Sequence, residues 1–215
     1  MPGKSAHSPE NEADQIGMER LIFFSDAVFA IAITLLSLEI RLPATDSAPT
    51  NGELSQLLLE IWPKYMAYVI SFLVIGLFWI GHHRRFRIIQ RYDRNLMLLN
   101  LLLLMVIAFV PFPTAVLSEY GNRAATIFYA LVMILIGVLS ACLWWYASYK
   151  DRLIDPGLDR RRRRREMLIP LWFIGVFLLS IALAYINVGL ARLSWILLAV
   201  TQRSYERAPN LKAKS

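Results

Sequence analysis

Residues 20–40 read Arg20-Leu-Ile-Phe-Phe24-Ser25-Asp26-Ala-Val-Phe-Ala-Ile31-Ala-Ile-Thr34-Leu35-Leu-Ser-Leu38-Glu39-Ile40. An apolar run of this kind matches the about 20 residues that a helix needs to cross a bilayer. Ser25 and Asp26 lie a turn or two inside it. An ionisable group at that depth is costly in lipid, so Asp26 is expected to face protein or water and to have a partner. It reads either as a functional group or as a hydrogen-bonding knot that packs helices, and the knot is preferred. At about 100° per residue, Leu35 and Leu38 fall within about 40° of Ile31, and Thr34 about 60° away. Asp26 lies about 140° from Ile31. One face is therefore an apolar stripe edged by a hydroxyl, and the other carries Asp26 into the bundle. Such a stripe alone is ordinary helix packing as readily as a pore lining.

The rest of the chain repeats the first segment's length and character. Of 215 residues, 57% are hydrophobic, too many for the surface of a soluble domain of this size. Apolar blocks predict spans at about 19–41, 57–81, 96–117, 124–148, 167–187 and 189–202. The sixth is short and also fits an interfacial or re-entrant segment. The expected fold class is all-α: a polytopic membrane protein with six transmembrane helices. A short N-terminal segment (1–18) precedes one membrane domain (19–205), and a tail (206–215) follows it. The loops leave no room for a second fold.

Charge sets the expected orientation. Arg84, Arg85, Arg87, Arg91 and Arg94 follow the second block; Lys150, Arg152 and the run Arg160 to Arg165 follow the fourth. Arg203, Arg207, Lys212 and Lys214 lie in the tail, whereas residues 43–56 hold no Lys or Arg. The positive-inside rule places both termini and both basic loops in the cytoplasm. The net charge of +7 thus reads as membrane flanks, not nucleic-acid binding, and Arg160 to Arg165 as an anchor on anionic lipids. Trp144, Trp145 and Tyr146 at one interface and Trp62 and Tyr65 at the other support the boundaries. Residues 1–18 lack the apolar core of a signal peptide. Cys142 stands alone, so no disulfide framework or Cys-based metal site forms within one chain.

Several groups are candidate partners for Asp26. His82 and His83 close the second block, Asn100 is the strong polar group early in the third, and Arg20 opens the first. A hydrogen-bonded cluster of Arg20, Ser25, Asp26, His82 or His83 and Asn100 would satisfy all of them. Adjacent His residues on a helix point about 100° apart and chelate a metal poorly. No metal or cofactor is expected.

The motif Arg20-x-x-x-Phe24-Ser25-Asp26 before an Ala/Ile/Thr/Leu helix resembles the signature of the TMEM175 family of potassium channels, in its prokaryotic single-repeat form. Phe-Trp79-Ile-Gly-His82-His83, Asp93, Asn100 and Pro111-Phe-Pro113 agree with it. The resemblance covers about residues 18–118; beyond that it rests on hydropathy. It implies a homotetramer passing K+ ions through a pore lined by the first helix, without a Thr-Val-Gly-Tyr-Gly filter. It further implies a constriction at Ile31, Leu35 and Leu38, a hydroxyl linked to selectivity at Thr34, and a structural role for the Arg-Phe-Ser-Asp cluster. Ile31 is Leu in some relatives. The implied gate is a ring of apolar side chains that dewets.

Two rivals stand beside this reading. A proton-coupled secondary transporter would use Asp26 and the His pair as a relay and would need broken helices at mid-membrane, for which Pro63, Pro111, Pro113 and Pro170, near span ends, are a weak signal. A non-conducting membrane scaffold would show no flux. No nucleophile–base set points to an enzyme. The single-repeat form and the absence of a transit peptide suggest a prokaryotic plasma membrane.

Overall fold

A computed structural model describes residues 9–44 and 47–199, and these are helical almost throughout. The tail at 206–215, the end of the sixth expected span and residues 1–8 of the N-terminal segment lie outside the described residues. The helices are α1 (Pro9–Leu35), α2 (Asn51–Glu60), α3 (Trp62–Phe86), α4 (Arg94–Phe109), α5 (Pro111–Tyr120), α6 (Arg123–Ser148), α7 (Arg160–Ala184) and α8 (Val188–Leu193). Among the described residues, five stretches are long and apolar enough to cross a membrane: Gln15–Glu39, Trp62–Phe86, Arg94–Tyr120, Arg123–Asp151 and Arg160–Ala184. This is the architecture of a polytopic all-helical membrane protein.

Short polar side chains start the helices where the sequence turns. Asp93 accepts from Leu96 N at 2.8 Å, Asn122 from Ala125 N at 2.9 Å and Asn187 from Leu190 N at 3.1 Å. Each answers one of the backbone donors that a helix N-terminus leaves unpaired. Thr50 and Glu53 form a reciprocal capping box on α2. Gly121 ends α5 at φ +56°, where a side chain would be strained.

Three boundaries depart from the sequence expectation. The second span starts at Trp62, because α2 is a separate helix ended at Ile61, and Pro63 then occupies the first turn of α3. The third span is interrupted at Val110. Pro111 has no N–H to continue the ladder, and the Thr114 hydroxyl donates to the Val110 carbonyl at 2.9 Å. In place of a sixth long helix, α8 runs into a 3₁₀ stretch, Ser194–Ala199. These two pieces span roughly 21 Å at α and 3₁₀ rises, short of a roughly 30 Å hydrocarbon core.

The core is a bundle in which α6 packs most extensively on α7 and also on α4 and α5. Gly137 permits the α6–α7 approach: a Cβ there would lie 2.8 Å from Ile174 Cγ1 and 3.4 Å from the Pro170 carbonyl oxygen. Trp144, Tyr129, Phe177 and Ile136 fill the space between these helices. α1 lies on the flank formed by α3 and α4, and α8 folds back along α7. At the end of the bundle rich in arginine, the 87–93 and 149–159 connections meet. Ile89 pairs with Ile154 in an antiparallel bridge, and Gln90 N donates to the Leu153 carbonyl at 2.9 Å.

Candidate pore helix and its polar anchors

α1 is the least buried of the five long segments, although its sequence is as apolar as theirs. Its packed side is Met18, Ser25, Phe29 and Ala32, at seven-, four- and three-residue steps, and Leu36 continues it in the 3₁₀ stretch Leu36–Glu39 that prolongs the helix. The opposite side is uncovered. Ile31 is 58% exposed and Leu38 59%, with Leu35 and Thr34 also exposed. The four residues expected on the stripe therefore share a face directed away from the chain's own bundle. The Thr34 hydroxyl donates to the Ile31 carbonyl at 2.9 Å, and Ser37 repeats the pattern on the Thr34 carbonyl at 2.8 Å. The proton of Thr34 is thus directed back along the helix, and the hydroxyl's lone pairs are left for another partner.

The packed side is held by polar groups as well as by apolar contact. Ser25 is fully buried; it donates to the Leu21 carbonyl at 2.8 Å and accepts from Asn100 Nδ2 at 2.9 Å. Asn100 Oδ1 lies 2.8 Å from His82 Nε2. A carbonyl oxygen only accepts, so in this arrangement His82 carries its proton on Nε2. The imidazole stacks on Phe86 with centroids 4.3 Å apart and tilts against Phe29 at 5.4 Å. Ser25–Asn100–His82 thus runs from α1 through α4 to α3, and each link crosses a helix boundary.

Asp26 has a different partner from those expected. Its Oδ1 accepts from the Trp79 indole N–H at 2.8 Å. An indole N–H can only donate and needs an acceptor in an apolar setting, which was the available signal for this pair. Trp79 also lies against His83, with centroids 5.8 Å apart. Of the expected cluster, Ser25, His82 and Asn100 come together. Arg20 is exposed without a hydrogen bond or ion pair to a described residue, and Phe24 is exposed over a small cleft beside Arg94 and Asn100. His83 stays outside the chain of bonds.

Other buried polar links were not legible beforehand. With the Thr114 proton on the Val110 carbonyl, Thr114 accepts from the Ser71 hydroxyl at 2.8 Å, and Ser71 in turn accepts from the Tyr129 hydroxyl at 3.1 Å. Trp195 donates to Ser180 at 2.8 Å, and Arg192 to the Gly121 carbonyl at 2.6 Å. The last two hold the α8 segment against α7 and the end of α5. Among the described residues, no group of three or more His, Cys, Asp or Glu side chains is placed to hold a metal ion.

The bundle of apolar spans, with one under-buried helix held at its back by polar links, defines a multi-helix integral membrane protein. Comparison with known proteins narrows this. The model of the family described as "Endosomal/lysosomal potassium channel TMEM175" matches residues 20–111. A protein named as a potassium channel from Streptomyces collinus is 42% identical over 187 residues, covering 84% of this chain and 89% of that protein. The crystal structure of a lysosomal potassium-selective channel TMEM175 homolog from Chamaesiphon minutus superposes with a TM-score of 0.76 at 36% identity, covering 89% of this chain and 99% of that one. A chicken protein named as an endosomal/lysosomal proton channel is 31% identical over 150 residues, and the match covers 29% of its length. The chain belongs to the TMEM175 family. Named members of that family are ion channels, not enzymes.

Proposed function

We propose that this chain is one subunit of a potassium-permeable cation channel, assembled from four copies with α1 of each lining the pore. The observation that carries this reading is the uncovered face of α1 and of the 3₁₀ stretch Leu36–Glu39 that prolongs it, where Ile31, Leu35 and Leu38 flank the Thr34 hydroxyl. In a single chain these side chains are exposed. Around a shared axis they form rings, and a ring of apolar side chains gates by dewetting. α1 is α-helical through Leu35, so its backbone carbonyls are occupied by its own amides. Selectivity for K+ then rests on dehydration at the apolar rings and on the Thr34 lone pairs. The Ser25–Asn100–His82 chain and the Asp26–Trp79 pair are structural: they fix the rotation of α1 so that its apolar face points outward. Arg20 and Phe24 flank this network, and His83 lies beside it.

In this reading the chain crosses the cell membrane six times with both termini in the cytoplasm. The Trp172 indole donates to the Leu197 carbonyl at 3.3 Å. Leu197 has therefore returned about 12 residues, roughly 18 Å, down α7 from its end at Ala184. The basic connections 87–93 and 149–159 lie together at one end of the bundle, as the positive-inside rule requires of cytoplasmic loops. Arg160 to Arg165 anchor α7 on anionic lipids there.

The test is flux from liposomes carrying the purified protein. A potassium gradient is read with a fluorescent reporter and a proton gradient with a pH dye, for the wild type and Ile31→Asn. K+ flux that rises in Ile31→Asn supports an apolar constriction on α1. Proton flux without K+ flux would move the chain toward its relative named as a proton channel. No flux from an intact four-chain assembly, in either protein, would make it a scaffold.

A further inference from the structure

A cleft at the basic end of the bundle lies outside the proposed pore. α3 ends and α7 begins there, and Trp79, Ile80, His83, Arg84, Arg87 and Arg162 enclose about 500 Å³. Arg84 is committed to the buried Glu166 at 2.7 Å. The side chains of Arg87 and Arg162 make no hydrogen bond or ion pair with a described residue. Two guanidiniums on one cleft without a counter-charge repel each other. An anion with several acceptor oxygens relieves that repulsion, and a phosphate matches the arginine fork in geometry as well as charge. The imidazole of His83 lines the same space.

The cleft also has an apolar continuation. Ile80 borders a second groove of about 490 Å³ along α3, whose walls include Leu73, Gly76, Leu77, Ile196 and Leu198. Gly76 contributes no side chain, and a Cβ built there meets nothing within 4 Å. A basic cleft and an apolar groove that share Ile80 as a wall suit a ligand that is anionic at one end and a hydrocarbon chain along the rest. A free phosphate ion would use only the first half.

We propose that this cleft binds one anionic phospholipid, with its phosphate between Arg87 and Arg162 and an acyl chain along the groove between α3 and the Ser194–Ala199 stretch. The site rests on the reading of the basic end as the cytoplasmic face of a membrane channel. It differs from the diffuse attraction of the Arg160–Arg165 run because it is shaped, and it takes a definite number of lipids per chain.

The experiment is native mass spectrometry of the purified channel titrated with phosphatidylglycerol or phosphatidylcholine, with inorganic phosphate as competitor. The variants are Arg87→Gln/Arg162→Gln and, as a charge-matched control, Arg160→Gln/Arg161→Gln. The expected result is one phosphatidylglycerol retained per chain in preference to phosphatidylcholine. The cleft variant binds it roughly 30-fold more weakly, at about fivefold per arginine, and the control changes it much less. Equal losses in the two variants would mean surface charge alone and would overturn the proposal. So would full displacement by inorganic phosphate, which would make it an ion site without a chain groove. Potassium flux measured on the same preparations separates the readings. Flux without selective lipid retention overturns the lipid site only, and retention without flux supports the site while overturning the channel.

Discussion

The indole N–H of Trp79 on α3 meets Oδ1 of Asp26 on α1 at 2.8 Å. The helix proposed to line the pore is thereby tied to its neighbour through its own carboxylate. Trp79→Phe keeps an aromatic ring and removes the donor. It is expected to lower stability by about 1–2 kcal/mol. Asp26→Asn retains an acceptor oxygen and should cost less. Thermal unfolding in detergent checks the order, and a Trp79→Phe protein that melts with the wild type would remove this bond from the account.

Asn100 uses both ends of its amide, one toward Ser25 and one toward His82. Asn100→Ala leaves a buried imidazole N–H without an acceptor and opens a small cavity, for about 2–4 kcal/mol. Replacing both partners, Asn100→Leu with His82→Phe, should cost less than the two single changes added together, because no polar group is then stranded. A double-mutant cycle by denaturant or thermal unfolding measures the difference. Strict additivity would show that the two side chains do not act as a unit.

Thr34 offers its lone pairs because its proton is engaged by the Ile31 carbonyl. Thr34→Val has nearly the same shape without the oxygen. The expected outcome is continued K+ flux with K+ over Na+ selectivity reduced by roughly a factor of a few, and Thr34→Ser close to wild type. Reversal potentials in reconstituted bilayers supply the measurement. Unaltered selectivity in Thr34→Val would leave dehydration at the apolar rings as the sole filter.

Glu53 accepts from both the backbone N–H and the hydroxyl of Thr50, and these bonds hold its carboxyl below its ordinary value of 4.5. A group whose pKa is depressed by folding adds stability above its unfolded pKa and loses it as the pH falls through the folded one. The N-terminus of α2 is therefore expected to hold near neutrality and to fray as the pH drops below the usual carboxylate range. Amide hydrogen exchange over residues 50–56 is the readout. Glu53→Gln should show faster exchange near neutrality and a flatter response to acid.

Much of the fold was legible because lipid imposes simple rules. Length and apolar content located five spans, and the arginine blocks marked the end at which the 87–93 and 149–159 connections meet. The periodicity of α1 separated the Ile31 face from the Asp26 face, and burial follows that division. The partner of Asp26 was harder to read. His82, His83 and Arg20 are polar and stand out in an apolar segment, whereas Trp79 looks like one more large hydrophobe and its N–H matters only through orientation. The α2–α3 break and the 3₁₀ ending near Leu197 were also hidden, since local backbone choices leave little trace in hydropathy. Thr114–Ser71–Tyr129 joins residues far apart in the chain, and no spacing rule reports such a contact.

The uncovered face of α1 has a consequence for mass action. In the proposed assembly a solitary chain contains no conduction path, because the walls of the pore come from four separate molecules. Conductance per unit of protein is then not constant. At high protein-to-lipid ratios it is flat, and on dilution below the dissociation range it falls steeply, approaching the fourth power of surface density for total current. Mixing wild type with a non-conducting variant that still assembles would titrate activity by the binomial share of fully wild-type assemblies, and the curvature of that titration counts the subunits.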